Sequence, residues 1–340
     1  LGQLAVGLAV LAALVTGVPA VGAGLLSPVE LAVVVLTPLA AFEATSLLPA
    51  AAIQVQRSRA AASRILTLLD SPAGSPSDVP TGPTPDAPVP AGPPLTAAGL
   101  AIGWPGGPLL AEGLDLVLDS GRSVAIVGPS GTGKTTALLT LAGLLPRRGG
   151  SLTLGGQDID RVARAAVVRA VVVGTEDAHV FGTTVLENLR VARGDVTAAE
   201  ATAVLARVGL GDWLGGLPDG LETLLGPDAR TVSGGERRRL LVARTLLSPT
   251  ALLLLDEPAE HLDPVRADAL VEDLLRDPRG VVVVTHRLTP LAAADEVLWL
   301  QDGRIRARGT HAELTATSPG YREALDRERA GEETEAGRAR

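Results

Sequence analysis

The hydrophobic pattern divides the chain into an apolar beginning, a proline-rich interval and a longer stretch of alternating short apolar runs and helical segments. Residues 1–56 hold no lysine or arginine, and Glu30 and Glu43 are their only charges. Two apolar spans, Leu4–Leu26 and Val29–Ile53, flank Ser27-Pro28. At about 1.5 Å per residue, each predicts a helix able to cross about 30 Å of hydrocarbon. Arg57, Arg59 and Arg64 follow directly. By the positive-inside tendency they place that end in the cytoplasm, so the pair reads as a transmembrane helical hairpin with its turn outside. Two buried helices of a soluble domain are the alternative. A cleaved signal peptide fits poorly, since the first residues are uncharged and two spans occur. Glu43 is a functional candidate because a charge inside a span is costly; otherwise it lies near a helix end or faces a partner helix.

Residues 60–69 predict the same helix continuing into the cytoplasm, so residues 1–70 form one all-α unit. Residues 71–94 are dense in proline, with Gly, Ser, Thr and Asp between, a composition that gives an extended linker rather than a core. From Leu95 short strand-like segments appear (Leu100–Trp104, Leu114–Leu118, Val124–Val127, Ser151–Leu154). Val171–Val173, Leu252–Leu255 and Val281–Val284 are continuous apolar runs, as central strands covered on both faces require. Ala198–Val208, Glu236–Leu247 and Val265–Leu275 predict helices, the last opened by Pro264 at a favoured first-turn position. An α/β domain over 95–320 follows, with a charged tail at 321–340 expected to fray.

Within this pattern, Val124–Val127 leads into Gly128-Pro-Ser-Gly-Thr-Gly-Lys-Thr135 and then an apolar helix. Strand, glycine loop and helix form the context of a P-loop, in which backbone N–H groups and a helix N-terminus surround the phosphates of a nucleoside triphosphate. Candidate contacts are Gly128, Ser130, Gly131, Gly133, Lys134, Thr135 and Thr136. Lys134 would neutralise phosphate charge and the Thr135 hydroxyl would ligate Mg²⁺. It is the only lysine in the chain. A compact ammonium suits a ring of amides better than a guanidinium fork does. Downstream, Leu252-Leu-Leu-Leu-Asp256-Glu257-Pro258 is an apolar run ending in two carboxylates. Asp256 can hold Mg²⁺, and Glu257 can orient and deprotonate the attacking water.

Composition adds three limits. Hydrophobic content of 46% and mean hydropathy of +0.30 are high for a wholly soluble protein. A formal charge of -8 argues against a nucleic-acid partner, which calls for a basic face. The absence of cysteine removes disulfides and cysteine-bound metal, and the absence of methionine suggests a chain that is processed or is the C-terminal portion of something longer.

Further motifs carry a resemblance to a known family. Ser233-Gly234-Gly235-Glu236-Arg237 resembles the signature of ABC ATPases, Glu260-His261-Leu262-Asp263 their D-loop, and Val284-Thr-His286-Arg287 their switch-histidine loop. In order and spacing with the P-loop and carboxylate pair, these motifs are similar to an ABC-type nucleotide-binding domain, an α/β P-loop NTPase fold. The resemblance implies that Ser233, Gly234 and Gly235 face the γ-phosphate held by a partner, with Asp263 in the D-loop. It implies that His286 contacts the γ-phosphate of this chain's own ATP, while His261 is a solvated loop residue. It also puts Trp104 where an aromatic ring stacks on adenine (a core tryptophan is the alternative), and Glu176 where a Q-loop glutamine meets Mg²⁺. Glu176, Val232, Glu236 and Pro227 depart from the family pattern, which suggests unequal ATP sites in a heterodimer.

The whole layout resembles an ABC exporter half-transporter, whose first four membrane helices would precede Leu1. Thr37-Pro-Leu-Ala-Ala-Phe-Glu43, Trp104-Pro-Gly-Gly-Pro108 and Asp177-Ala-His-Val-Phe181 look like the CydC side of the CydC/CydD exporter family. That resemblance implies a bacterial inner-membrane location, a CydD-like partner, a small-molecule substrate, and a link to cysteine or glutathione export and cytochrome bd assembly. The alternatives are a lipid, peptide or drug exporter of this architecture, a regulatory subunit with little hydrolysis, or a soluble ABC ATPase of DNA repair or translation. The apolar hairpin and acidic charge speak against the last.

Overall fold

The computed structural model describes residues 2–45, 48–70, 94–175, 178–226 and 232–338. The chain forms two compact units, Leu1–Pro83 and Thr84–Arg340. In the first, α1 (Gly2–Gly22) and α2 (Pro28–Thr45) form a hairpin, and α3 (Leu48–Asp70) follows. The start of α2 is built by Ser27 and Glu30. The Ser27 backbone N–H donates to the Glu30 carboxylate (2.7 Å), and the Glu30 N–H donates back to the Ser27 hydroxyl (3.3 Å). Gly17 lies against Leu31, the tip of whose side chain would have to shift to admit a Cβ there.

Among the described residues no helix is long and apolar enough to cross a membrane. The 18 residues of α2 reach about 27 Å at the helical rise, short of about 30 Å of hydrocarbon. The second predicted span is shared between α2 and α3, and α3 carries the arginines. The predicted transmembrane hairpin is thus corrected to a helical hairpin with shorter elements. Its outer face stays apolar, with Leu8, Leu11, Val15, Val29, Val33 and Leu36 all more than half exposed.

The second unit opens with β1 (Leu95–Ile102), β2 (Ala111–Leu118), β3 (Ser123–Val127) and α4 (Lys134–Leu141). β4 (Gly149–Leu154), β5 (Gln157–Asp158), α5 (Arg164–Ala170) and β6 (Val171–Gly174) come next. A helical stretch contains α6 (Val185–Arg190), α7 (Ala198–Arg207), α8 (Gly211–Gly215) and α9 (Gly234–Leu246). The chain ends with β7 (Leu252–Asp256), α10 (Pro264–Leu275), β8 (Gly280–Thr285), β9 (Glu296–Gln301), β10 (Arg304–Gly309), α11 (His311–Thr317) and α12 (Pro319–Arg338). The tail expected to fray is helix instead, because Tyr321 and Leu325 bury their side chains (0% and 1% exposed).

Ten strands join one mixed sheet in the order β5-β4-β1-β2-β10-β9-β3-β8-β7-β6. Its β9-β3-β8-β7-β6 half is parallel, while β1, β2, β4 and β5 pair antiparallel. Alternate residues of each central strand enter opposite cores. Val124, Ile126, Leu252, Leu254, Val282 and Val284 pack with α4; Ala125, Val127, Leu253, Leu255, Val281 and Val283 pack with α9 and α10. Double-sided burial explains why these strands are continuous apolar runs. Each such buried Leu or Val contributes about 1.5–3 kcal/mol.

Candidate functional site

Three neighbouring strands deliver the site. β3, β8 and β7 are adjacent and parallel, so the segments after Val127, Thr285 and Asp256 leave from the same edge of the sheet. Ligand crevices of open α/β sheets lie outside these carboxyl ends. Here they border a cleft of about 390 Å³ lined by Ser130, Gly131, Gly133, Lys134, Thr135, Thr136, Asp256, Glu257 and His286, with Leu110 and Glu260.

The loop after β3 needs glycine for a steric reason. A Cβ on Gly128 would sit 2.0 Å from the Leu300 carbonyl oxygen of β9, and Gly131 and Gly133 have φ of 79° and 94°. The loop thereby turns backbone amides into the cleft ahead of α4, which suits a polyphosphate. Lys134 is buried, and its ammonium donates to the carbonyls of Gly128 (2.9 Å) and Pro129 (3.0 Å). Burial lowers its pKa from the ordinary value, against the attraction of Glu257 and Asp256.

Across the cleft, burial pushes the Asp256 carboxyl above its ordinary pKa, opposed by a hydrogen bond with Thr135 and reinforced by the charge of Glu257. Hydroxyl and carboxylate side by side are the oxygen donors that Mg²⁺ takes when phosphates and water complete its shell. The residues present fit the ion in that manner. Among the described residues no cluster of three or more His, Asp or Glu could hold a metal unaided. Glu257 adopts φ 45°, a left-handed conformation costly for a non-glycine residue. Its N–H donates to the Val284 carbonyl (2.9 Å), and its Oε2 lies 2.9 Å from His286 Nδ1. That hydrogen bond raises the His286 pKa, with burial opposing it. A strained carboxylate tied to a histidine at the mouth of the phosphate cleft can hold and accept the proton of a water molecule.

The other candidates lie elsewhere. Ser233 caps α9 in a reciprocal pair with Glu236, and Asp263 caps α10 by accepting from the Arg266 N–H (3.1 Å). Neither they nor Gly234 and Gly235 line the cleft, although a Cβ on Gly235 would touch His261 at 3.7 Å, so signature and D-loop are neighbours. Glu236 closes a capping box with Ser233, a role that glutamine at this position fills as well. Trp104 stands in the turn after β1, 53% exposed and outside the cleft lining. Arg148 donates to its carbonyl (2.6 Å). Glu176, Asp177 and Pro227 lie outside the described residues. Two cleft residues were not foreseen. Glu260, which pairs with Arg238, was legible from its place three residues after Glu257. Leu110 arrives through a sheet contact with no local signal.

Residues 111–260 match the family model for the ABC transporter. The chain is 35% identical over 207 residues to the glutathione/L-cysteine transport system ATP-binding/permease protein CydD of Bacillus subtilis (strain 168), covering 60% of this chain and 36% of that protein. It is 37% identical over 213 residues to the mycobactin import ATP-binding/permease protein IrtB of Mycolicibacterium thermoresistibile, covering 62% and 37%. It thus spans little more than a third of the length of these curated relatives. A bacterial Atm1-family ABC exporter with ATP bound superposes with a TM-score of 0.69 at 26% identity, over 96% of this chain and 57% of that one. The chain therefore carries an ABC transporter ATPase domain that binds ATP and is related to fused permease–ATPase proteins.

Proposed function

We propose that the chain is the ATP-hydrolysing part of a membrane transporter subunit that moves a small molecule, with a second ABC half-transporter completing its sites. The observation that carries this is the convergence of Lys134, Thr135, Asp256, Glu257 and His286 on one cleft. In this reading Lys134 and the loop amides bind the β- and γ-phosphates, and Glu257 takes the proton of the water that attacks the γ-phosphorus as the bond to ADP breaks. His286 holds Glu257 and the γ-phosphate in register. Thr135 and Asp256 would hold Mg²⁺, which supplies charge neutralisation at the phosphates. Ser233, Gly234, Gly235 and Asp263, outside this cleft, serve the partner's ATP, and Trp104 and Glu176 approach the adenine and the ion respectively. The apolar exposed face of α1 and α2 supports a place in a bacterial cell membrane. Similarity to CydD supports thiol export through a CydC-like heterodimer; the import named for IrtB makes uptake the second reading.

The test is ATP turnover of the full-length, partner-completed transporter in lipid vesicles, with and without glutathione and cysteine. Stimulation by a thiol together with its ATP-dependent movement supports this reading, and the side on which it accumulates decides between export and uptake. Lys134→Ala loses nucleotide binding at least about 10-fold, while Glu257→Gln binds ATP with kcat about 10²–10³-fold lower. Hydrolysis by the Glu257 variant at the parental rate removes Glu257 as the base. ATP binding without any turnover in the parent favours a regulatory subunit.

A further inference from the structure

His286 reaches the cleft on a segment that needs outside support. Its side chain is 61% exposed and has Glu257 as its partner. The segment it belongs to is fixed by the two residues that follow. The Arg287 N–H donates to the Thr285 hydroxyl (3.1 Å), and its guanidinium Nε donates to Asp268 of α10 (2.7 Å). One residue on, the N–H of buried Leu288 donates to Glu328 Oε2 (2.8 Å), from the third turn of α12. Glu328 also lies 3.9 Å from the Arg287 guanidinium, both side chains being more than four-fifths buried. A carboxylate from the last helix therefore holds the backbone two residues after the histidine, although Glu328 does not line the cleft.

We infer that Glu328 is a positioning residue for hydrolysis, setting the placement of His286 against Glu257 through the Leu288 N–H and Arg287. This rests on the hydrolytic role proposed above for Glu257 and His286. The anchor of α12 is separate. Tyr321 packs edge-on to Trp299 at 5.5 Å, and its hydroxyl meets His311 Nδ1 at 2.7 Å, seven residues before Glu328. Helix docking and loop placement can thus be perturbed independently.

The experiment compares Glu328→Ala, Glu328→Gln and Tyr321→Phe in the full-length, partner-completed transporter. It reads kcat and KM for ATP, nucleotide binding and the unfolding midpoint. Alanine removes the acceptor for the Leu288 N–H. Glutamine keeps it through its amide oxygen and loses the charge beside Arg287. The expected result is kcat down about 10-fold in Glu328→Ala with KM and nucleotide binding within about twofold, kcat at least half restored in Glu328→Gln, and no loss in Tyr321→Phe. Unchanged kcat in Glu328→Ala overturns the inference. So does an equal loss in all three variants that follows the unfolding midpoint, since that marks plain helix packing. If Glu328→Ala does not fold, Glu328→Asp, which keeps the charge and draws the acceptor back from the Leu288 N–H by one methylene, takes its place: parental kcat in that variant at parental stability overturns the inference. Parallel Glu257→Gln measurements separate the failures: parental turnover there sinks the hydrolytic reading itself, whatever Glu328 does.

Discussion

At the residue scale the cleft gathers three local costs. Lys134 has its ammonium turned onto carbonyls, Glu257 sits at a positive φ, and Asp256 is a half-buried carboxylate beside another carboxylate. Asp256 allows the clearest test. Its folded pKa lies above the ordinary 3.8. The folded state therefore gains protons relative to the unfolded chain, and stability falls as pH rises through the folded value. Asp256→Asn removes that cost. Without nucleotide, its unfolding midpoint at pH 7 should rise by a few degrees, the gain shrinking as pH falls toward the folded pKa, while Mg²⁺-dependent hydrolysis is lost. A lower midpoint at pH 7 would mean that the charge is stabilised by contacts other than those described. The glycines and the carboxylate pair were legible because their chemistry is local. The Gly128–Leu300 approach was not, because β9 contributes its carbonyl from far along the chain.

At the element scale, capping decides where helices begin. Ser233 and Glu236 close a reciprocal box at the start of α9, and Thr197 with Glu200 and Thr310 with Glu313 repeat it for α7 and α11. Ser233→Ala should lower stability by about 1 kcal/mol in denaturant unfolding. An effect under about 0.3 kcal/mol would show that the cap contributes little in this context. β3, β7 and β8 were readable as unbroken apolar runs. β10 was not, since Arg304, Arg306 and Arg308 alternate with smaller residues and the run reads as polar. The predicted spans at the start were misjudged in length, because hydropathy gave their extent and the caps at Ser27 and Pro28 gave only one boundary. α12 was misread because two apolar residues, Tyr321 and Leu325, dock a helix that is otherwise charged.

At the scale of the whole molecule, the chemistry is divided between parts of unequal permanence. Lys134 follows β3, and Asp256 and Glu257 stand at the end of β7, in the parallel part of the sheet, where both faces are covered. Amides there open only when the domain unfolds, whereas a helix docked by two apolar side chains opens at far lower free energy. The Leu288 N–H is bonded to Glu328 of α12 rather than to a neighbouring strand. Its hydrogen exchange should therefore follow α12, and run faster than that of Val283 or Val284. Exchange as slow as the strand interior would show α12 and β8 to be one cooperative unit. With the faster rate, the histidine segment belongs to a different foldon from the phosphate loop. On the function proposed above, undocking α12 would loosen the hold on His286 while the strands that carry the phosphate loop stay closed.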